Sequence, residues 1–578
     1  RQTKIITILI LLFTIISFGI STKVNADENR LDIQIEAGIN GKAKLEQGFP
    51  VFLSITNNSE DFSGDLVITI PKDNQSIGNK VIPIDIAAGT TKQIEFSVPG
   101  MIIDILRMGS TKIDQFHLYE GNWQDGNEVA IDSSLEIIPS YIQQDQLAIG
   151  VLSNQPDSLN YLKLANFMGN SPEVLVLDED NIPKTAQGFE VLDLLLINDF
   201  AVAQLPEDTQ AAINHWVSNG GNLIIGSEPG LEQQMGTLAP LLPMTISGTE
   251  KVNEIEKFNQ LADKPFEVSE FELFTGEINS GATNTMDENN IPLVVNQNVG
   301  KGQISQVNFD IDHPELANWD GNSSLWQTII NQIHKSTTGN SRIVHHYGDE
   351  LTQLSSRFPS LSDMNVSVLT LLFIGYLLLI VPVLYFVLKR MDKREWAWVA
   401  IPLVAILSSI GLYLVGAKDR IGDIKTNAVS ILAVNQEGVG SGEGSLSLLS
   451  QGSGTYTLAV DQSLNPFPDG NSFNQDFTNL PMIDSEGDES HVHFRNVEFW
   501  SPRTVAVDYP QKEYGTFTTN LSFVDEQITG KITNNFDYDF EEVYLLSGSS
   551  YETIGSLAVG ETKELSFQSN TIFQTPVG

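Results

Sequence analysis

The sequence predicts a multidomain protein in which an all-β sandwich, an α/β parallel-sheet domain and a C-terminal all-β region surround a two-helix transmembrane hairpin. Three observations lead to this fold class. Two uncharged apolar segments lie between residues 366 and 416. Residues 27–140 and 417–578 contain short alternating strands separated by turn residues. Residues 141–340 alternate unbroken apolar strands with helical segments, which is typical of a parallel sheet covered on both faces.

Each apolar segment of the hairpin, 366–388 and 396–416, is long enough to cross a bilayer as a helix. About 20 apolar residues span roughly 30 Å of hydrocarbon, and lipid offers the backbone no partner outside a helix. The alternative is a helical hairpin buried in a large soluble domain. The connecting turn, 389–395, has more basic than acidic residues, and short basic loops stay in the cytoplasm. Both flanking regions are therefore expected on the extracellular side of a cell membrane.

The first 26 residues have the pattern of a signal peptide. A basic start and an apolar core precede the small residues Val24-Asn25-Ala26. The alternative is an uncleaved N-terminal anchor. Either one sends residues 27–365 across the membrane, in agreement with the orientation that the basic turn predicts.

Composition restricts the chemistry and the partners. The chain has no cysteine, which excludes disulfides, thiolate metal sites, a cysteine nucleophile and a lipid-anchor cysteine. Its formal net charge of −41 disfavours nucleic acid and anionic lipid as partners. The expected partners are the membrane lipid bilayer, which surrounds the hairpin, and other envelope or membrane proteins.

An internal repeat relates the two β regions. The tetrapeptide ITNN at 55–58 recurs at 532–535, and AAGTTKQIEF at 87–96 matches AVGETKELSF at 558–567. In each copy an Asn-rich turn ends one strand and a glycine turn opens another. Short strands at this spacing predict Ig-like modules, the second at about 518–570.

The α/β region supplies the candidate ligand site. Strands are predicted at 147–152, 192–197 and 222–226, and a helix at 206–218. Open parallel sheets bind ligands at the carboxyl ends of their strands. We therefore predict a ligand pocket from the residues that end two of these strands: Asn198, Asp199, Gly226, Ser227 and Glu228.

Two further segments of the chain have less regular patterns. Residues 230–300 are interrupted by Thr, Asn, Gly and acids, and we interpret them as an insertion or cap. Residues 341–365 are interpreted as a tether into the membrane.

Five segments have the residue order of a known group of proteins. HWVSNGGNLIIGSEPG at 215–230 is similar to the helix, Gly-Gly, strand and turn of class I glutamine amidotransferase-like domains. Four more resemble bacterial envelope membrane proteins of the Gram-positive type that combine such a domain with Ig-like β domains and a membrane hairpin: 299–326, 382–405, 496–503 and 530–567. The resemblance implies an amidotransferase-like fold for the α/β domain.

The resemblance does not imply amidotransferase activity. The family's enzymes carry a nucleophilic cysteine on the turn that here has the sequence GSEPG, residues 226–230. Ser227 also lacks the Gly-x-Ser-x-Gly frame, because Ile225 stands two positions before it. No catalytic residue, cofactor or metal ligand is predicted. At His491 and His493, which share one face of a strand, a solvated acidic loop is favoured over a metal site.

The leading hypothesis is a non-catalytic cell-envelope membrane protein that presents extracellular binding modules. One alternative is an accessory subunit of a membrane transport or export complex that captures a ligand at Asn198, Asp199 and Ser227. The second alternative is a surface hydrolase that uses Asp199 and Glu228 as an acid pair.

Overall fold

A computed structural model describes residues 31–568 of the chain, except 46, 73–75, 101–113, 132–133, 168, 269, 339–347, 359–365, 418–423, 437, 470–478, 525–526 and 548–549. The predicted signal peptide, 1–26, lies outside the described residues, as does much of the predicted tether. Within the described part, strand is the main secondary structure, arranged in several sheets with a few helices. The broad prediction of a β-rich protein with an added α/β domain is therefore confirmed.

The first β region forms two packed layers. Its strands are β1 Leu31–Ala37, β2 Lys42–Lys44, β3 Phe49–Asn57, β4 Phe62–Pro71, β5 Ile77–Ile86, β6 Thr91–Val98, β7 Phe116–Glu120, β8 Asn127–Val129 and β9 Ser140–Ile142. One layer has the antiparallel order β1-β3-β6, and the other contains β5-β4-β7-β8. Alternating side chains from both layers fill a shared core that includes Phe49, Leu53 and Leu66.

The α/β region follows. Its strands are β10 Ala148–Ser153, β11 Glu173–Leu177, β12 Leu194–Asn198, β13 Asn222–Gly226, β14 Met244–Val252, β15 Phe271–Ile278, β16 Thr283–Glu288, β17 Ile291–Val299 and β18 Gly302–Val307. Its α-helices are α1 Glu207–Ser218, α2 Leu231–Gln234, α3 Glu256–Leu261, α4 Pro314–Ala317 and α5 Asn322–Thr338. Short 3-10 helices cover Pro156–Leu164, Ala186–Val191, Val202–Gln204 and Gly236–Leu241.

Seven of these strands make one mixed sheet in the order β11-β10-β12-β13-β18-β17-β16. The first five are parallel, as the unbroken apolar pattern predicts, and β17 and β16 are antiparallel. Residues 283–299, which we interpreted as part of an insertion, therefore extend the sheet. The pattern concealed this because β16 is a polar edge strand and the second half of β17 is polar.

A short helix, α6 Gly348–Ser355, precedes the hairpin. The two arms of the hairpin are helical, with a turn at 391–393 between them. Their elements are α7 Val366–Leu378, a π-helical turn Leu379–Val383, α8 Leu384–Arg390, a 3-10 turn Arg394–Trp396 and α9 Ala397–Ala417. Pro382 lies in the π turn, where the missing N–H is accommodated. Among the described residues, one helix, Thr370–Arg390, is long and apolar enough to span a membrane. Helix α9 corresponds to the second predicted span.

The region after the hairpin is again β. Its strands are β19 Lys425–Val434, β20 Val439–Leu449, β21 Gly454–Asp461, β22 Phe467–Asp469, β23 Met482–Glu486, β24 Glu489–Val497, β25 Pro502–Glu513, β26 Phe517–Val524, β27 Gln527–Asn534, β28 Phe540–Ser547, β29 Ser550–Leu557 and β30 Thr562–Gln568. A 3-10 turn covers Gln462–Leu464. One sheet has the order β19-β20-β25-β22, and the last strands form β26-β27-β30 and the hairpin β28-β29.

Strands from before and after the helical hairpin share one sheet. β21, β24 and β23 extend the first region's second layer to the order β21-β24-β23-β5-β4-β7-β8. β23 pairs in parallel with β5, and the backbone N–H of Asn79 donates to Pro481 O at 2.8 Å. We call this junction the seam. It was not predicted, because the sequence pattern alone suggested two separate β regions.

Side chains reinforce the seam. The Ser76 hydroxyl donates to Asp469 Oδ1 at 2.6 Å. The Trp123 ring meets the His493 ring edge to face, with centroids 5.4 Å apart. Val67 and Trp123 from before the hairpin also share a small buried cluster with Met482 from after it.

Helix α6, which precedes the hairpin in sequence, packs against strands that follow the hairpin. The Ser355 hydroxyl lies 2.8 Å from each of the hydroxyls of Ser445 and Ser447, all three buried. Asn427 Nδ2 donates to Ser355 O at 2.8 Å, and Leu351 is 1% exposed. Residues 348–355, which fall in the predicted tether, are therefore a packed helix of the second β region.

The predicted repeat is confirmed at the level of hydrogen bonds. Asn57 and Asn534 are both fully buried, and each carboxamide oxygen accepts from the backbone N–H two residues ahead. Each Nδ2 donates to two backbone carbonyl oxygens, one of them 3 or 4 residues later in the chain and the other 29 or 23 residues later. The two copies, β1-β3-β6 and β26-β27-β30, are thus built around the same asparagine turn.

We expect Leu351→Ala to destabilise the protein by about 2–5 kcal/mol, because it opens a cavity where α6 packs on β20. The matched control is Leu354→Ala on the same helix, where the leucine is 50% exposed. This control should lower the free energy of unfolding by less than about 0.5 kcal/mol. The measurement is the urea midpoint of the detergent-solubilised chain. Equal midpoints for the two variants would contradict the packing of α6.

Candidate functional site

The predicted site residues lie at the carboxyl edge of the five parallel strands. Neighbouring strands β10 and β12 pair so that Ser153 lies beside Asn198. After β10 the chain adds β11 on one side of this strand and then returns to add β12 on the other side. Such a switch point leaves a crevice in which open α/β sheets bind ligands.

Asn198 and Gly226 lie side by side at this edge. A Cβ atom on Gly226 would be 2.2 Å from Asn198 Oδ1 and 3.4 Å from Ile311 Cδ1. The asparagine amide therefore covers the glycine and faces the loop that carries Ile311. Asn198 is 5% exposed, and its Nδ2 has no hydrogen-bond partner among the described residues.

Asp199 has a left-handed backbone conformation with φ of 47°. This conformation is uncommon for residues other than glycine, although aspartate tolerates it better than most. Its carbonyl oxygen accepts from the Asn154 N–H at 3.3 Å, which joins the ends of β10 and β12. The chain thus turns sharply here and leaves the Asp199 carboxyl at the edge of the sheet.

Ser227 has a structural role. Its hydroxyl donates to Asn308 Oδ1 at 2.8 Å and accepts from Gln306 Nε2 at 3.1 Å. Its backbone N–H donates to Val307 O at 2.9 Å. The side chain is buried, so the hydroxyl that we predicted as a pocket group instead ties β13 to β18.

Glu228 meets Asp199 at this edge. Burial raises the pKa of Glu228 to about 7, with a further contribution from the Asp199 charge. The two carboxyl groups share a hydrogen bond, and the Gln234 side chain opposes the shift by donating to Glu228. Since two carboxylates this close repel, the pair holds a proton into the neutral range.

Two aspartates on the loop after β18 complete the cluster, and the sequence analysis did not select them. Burial raises the pKa of Asp310 to about 7, and its hydrogen bond with Asp312 adds to the effect. The charge of Asp199 also acts on Asp310, and that of Asp312 acts on Glu228. The rule used for the other strands, applied to the end of β18, would have found both residues.

We call Asn198, Asp199, Glu228, Asp310 and Asp312 together the acidic edge. Tyr161 lies behind it, with its hydroxyl donating to Ile311 O at 3.1 Å. Burial, with the charges of Asp312 and Asp310, holds the pKa of Tyr161 well above its usual value. The tyrosine therefore stays neutral and fixes the loop that carries the two aspartates.

Metal binding is not supported by the arrangement of side chains. In the part of the chain that the structure describes, no group of three or more His, Asp or Glu residues could hold a metal ion. His491 and His493 share one face of β24, as predicted, and both contact Asp484, at 3.4 and 3.0 Å. The two histidines and Asp484 form a polar cluster beside the seam.

Two family models match the ends of the chain. A domain of unknown function, DUF8726, matches residues 30–130, and another, DUF8725, matches residues 516–577. These segments contain the two copies of the repeat. No curated protein matches the chain.

Among solved structures, a cytoplasmic protein from Salmonella typhimurium is 16% identical with a TM-score of 0.26, covering 32% of this chain and 98% of its own. A beta-galactosidase from Rahnella sp. R3 is 10% identical with a TM-score of 0.23, covering 63% and 41%. An exo-beta-1,4-mannosidase from Opitutaceae bacterium strain TAV5 is 14% identical with a TM-score of 0.22, covering 34% and 35%. The chain thus spans less than half of either enzyme. At these TM-scores the likenesses carry no functional argument.

We expect Glu228→Gln to change how stability depends on pH. The folded pKa of about 7 lies above the unfolded value of 4.5, so the folded state binds the extra proton between these values. The contribution of Glu228 to the free energy of unfolding is therefore greatest below pH 4.5 and is lost as pH rises through about 7. Glutamine has no proton to lose. The Tm of the variant minus that of the wild type should therefore increase by about 2 °C or more between pH 5 and pH 8.

The matched control for this measurement is Glu232→Gln, at an exposed position of α2. Its Tm should differ from that of the wild type by a constant amount across the same pH range. A constant difference for Glu228→Gln as well would show that Glu228 does not hold a proton in the folded state.

Proposed function

We propose that the protein is a non-catalytic cell-envelope membrane protein that holds a binding body on the extracellular face of the membrane. In this proposal the two repeat copies belong to Ig-like modules. The α/β domain has an amidotransferase-like fold that has no cysteine and serves for binding. The anchor is the hairpin formed by α7, α8 and α9.

The seam is the observation that carries this proposal. A single membrane crossing between β5 and β23 would put the two strands on opposite sides of the bilayer, although they share a sheet. The chain between them must therefore cross an even number of times or not at all. Two crossings agree with the exposed apolar side chains on both arms of the hairpin, which include Leu371, Phe386, Leu403 and Ile406.

The basic turn supports the orientation. Lys389, Arg390, Lys393 and Arg394 lie between the two arms, and short basic loops stay in the cytoplasm. The engaged hydroxyl of Ser227 supports a binding role for the α/β domain, since a serine nucleophile needs a free hydroxyl beside a base.

The absence of native cysteine makes the topology directly testable. Single cysteines are placed at exposed Lys163 in the α/β domain, at Asp392 in the turn and at Val559 near the C-terminus. In intact cells, a membrane-impermeant maleimide should label Lys163→Cys and Val559→Cys. It should label Asp392→Cys only after the membrane is permeabilised.

Each other labelling pattern contradicts part of the proposal. Labelling of only one of Lys163→Cys and Val559→Cys would mean a single crossing. Labelling of all three without permeabilisation would mean that the hairpin does not cross. Labelling of Asp392→Cys alone would reverse the orientation.

A further inference from the structure

The loop between β24 and β25 exposes an aromatic pair. Phe499 is 57% exposed, and its ring meets the Trp500 ring edge to face, with centroids 5.2 Å apart. Trp500 has a left-handed backbone conformation with φ of 55°, which is an outlier for a bulky side chain. Such conformations lower stability and are concentrated at functional sites. The aromatic pair therefore indicates a contact with something outside the fold.

The strand register places this loop at one end of the second β region. In the sheet β19-β20-β25-β22, Lys425 pairs with Leu449, and Leu449 pairs with Pro502. The loop 498–501 precedes β25 at this end, and Ile424, which is 54% exposed, precedes β19. We call this part of the molecule the aromatic end, and it consists of Ile424, the loop 450–453 and the loop 498–501.

Both arms of the hairpin connect to the aromatic end. Six residues, 418–423, join α9 to Ile424, and a chain of that length spans at most about 25 Å when fully extended. The other arm connects through α6, whose last residue, Ser355, accepts from Asn427 Nδ2 at 2.8 Å. Asn427 is the third residue of β19. A membrane that the hairpin enters is therefore held near this end, whereas Gln436 lies about 30 Å further along β19.

Charge also distinguishes the two ends of this region. The loop 450–453 has the uncharged sequence SQGS, and in the loop 498–501 the Glu498 carboxylate accepts from Arg503 Nη2 at 2.5 Å. Four acidic residues lie at the opposite end, in the turn between β23 and β24 or at the end of β21: Asp461, Glu486, Asp488 and Glu489. Carboxylates are costly in contact with lipid, whereas aromatic rings are favoured at the lipid–water interface. The charge pattern therefore favours contact between the aromatic end and lipid.

We propose that the aromatic end lies in the lipid–water interface of the membrane that the hairpin crosses, with the rings of Phe499 and Trp500 inserted among the lipid headgroups. This inference rests on the proposed membrane crossing and adds a second membrane contact to it. The contact determines which end of the second β region faces the bilayer, and it directs the acidic end away from lipid.

The test is photo-crosslinking of the full chain, purified in detergent and reconstituted into phosphatidylcholine vesicles. Phe499→benzoylphenylalanine keeps an aromatic side chain in the loop and forms a covalent adduct with a molecule that touches it. We expect one phospholipid mass on the peptide that contains position 499. The matched control is Gln436→benzoylphenylalanine, in the exposed turn after β19. It should give at least about tenfold less lipid adduct, because this turn lies about 30 Å away along β19.

A second measurement leaves the aromatic pair intact. Ser453→Cys, at an exposed position of the loop 450–453, is labelled with a fluorophore in the otherwise cysteine-free chain. Spin-labelled phosphatidylcholine should quench it at least about twofold more strongly than the same fluorophore at Gln436→Cys, because the two sites lie at opposite ends of strands about 30 Å long. Phe499→Ser should reduce the quenching at Ser453→Cys. Phe523→Ser, at a 44% exposed phenylalanine of β26, should leave it unchanged.

Several results would overturn the inference. These are no lipid adduct at Phe499, equal lipid adducts at Phe499 and Gln436, a crosslink between two copies of the chain in place of the lipid adduct, or quenching that Phe499→Ser does not change. The cysteine labelling described above tests the crossing separately. The expected labelling without a lipid adduct would overturn only the interfacial contact, whereas labelling of all three cysteines in intact cells would overturn the crossing itself.

Discussion

The pairing of β5 with β23 is the constraint on which the rest of the architecture depends. These strands lie on opposite sides of the helical hairpin in sequence, and the Ser76 hydroxyl donates to Asp469 across 393 positions. Because the seam and α6 both return the chain to the same body, the hairpin is a loop that leaves this body and comes back. Its apolar side chains, such as Leu371 and Phe386, are exposed and lie outside the core.

The same constraint fixes the surroundings of the α/β domain. Lys44 forms an ion pair with Asp193 at 2.5 Å, and the Gly48 N–H donates to Glu190 Oε2 at 2.8 Å. The first β region thus contacts the α/β domain directly while it shares a sheet with strands from after the hairpin.

Short-range sequence patterns predicted the strands and helix ends that depend on neighbouring residues. Unbroken apolar runs gave β10, β12 and β13 to within two residues, and Gly220-Gly221 marked the end of α1. The repeated asparagine turn was visible because one buried amide must satisfy the same backbone groups in both copies. The seam was not visible, because periodicity indicates which face of a strand is buried and not which distant strand it pairs with.

The site was predictable in part for the same reason. The rule for strand ends placed Asn198, Asp199, Gly226 and Glu228 together, and it missed Asp310 only because it was not applied to β18. The sequence could not show that the Ser227 hydroxyl is engaged by Gln306 and Asn308. Nor could it show that Asn198 Nδ2 has no hydrogen-bond partner among the described residues, since both facts depend on packing between strands.

The most direct test of the account is a disulfide between Ser355→Cys and Ser445→Cys, whose native hydroxyls lie 2.8 Å apart on opposite sides of the hairpin in sequence. A protease site is inserted in the basic turn, and the chain is oxidised and cut there. We predict that the two fragments stay joined on a non-reducing gel and separate when reduced. The control pair, Leu354→Cys with Ser445→Cys, should separate without reductant, because Leu354 is 50% exposed on the same helix. Separation of the Ser355–Ser445 pair without reductant would contradict the shared body on which the account rests.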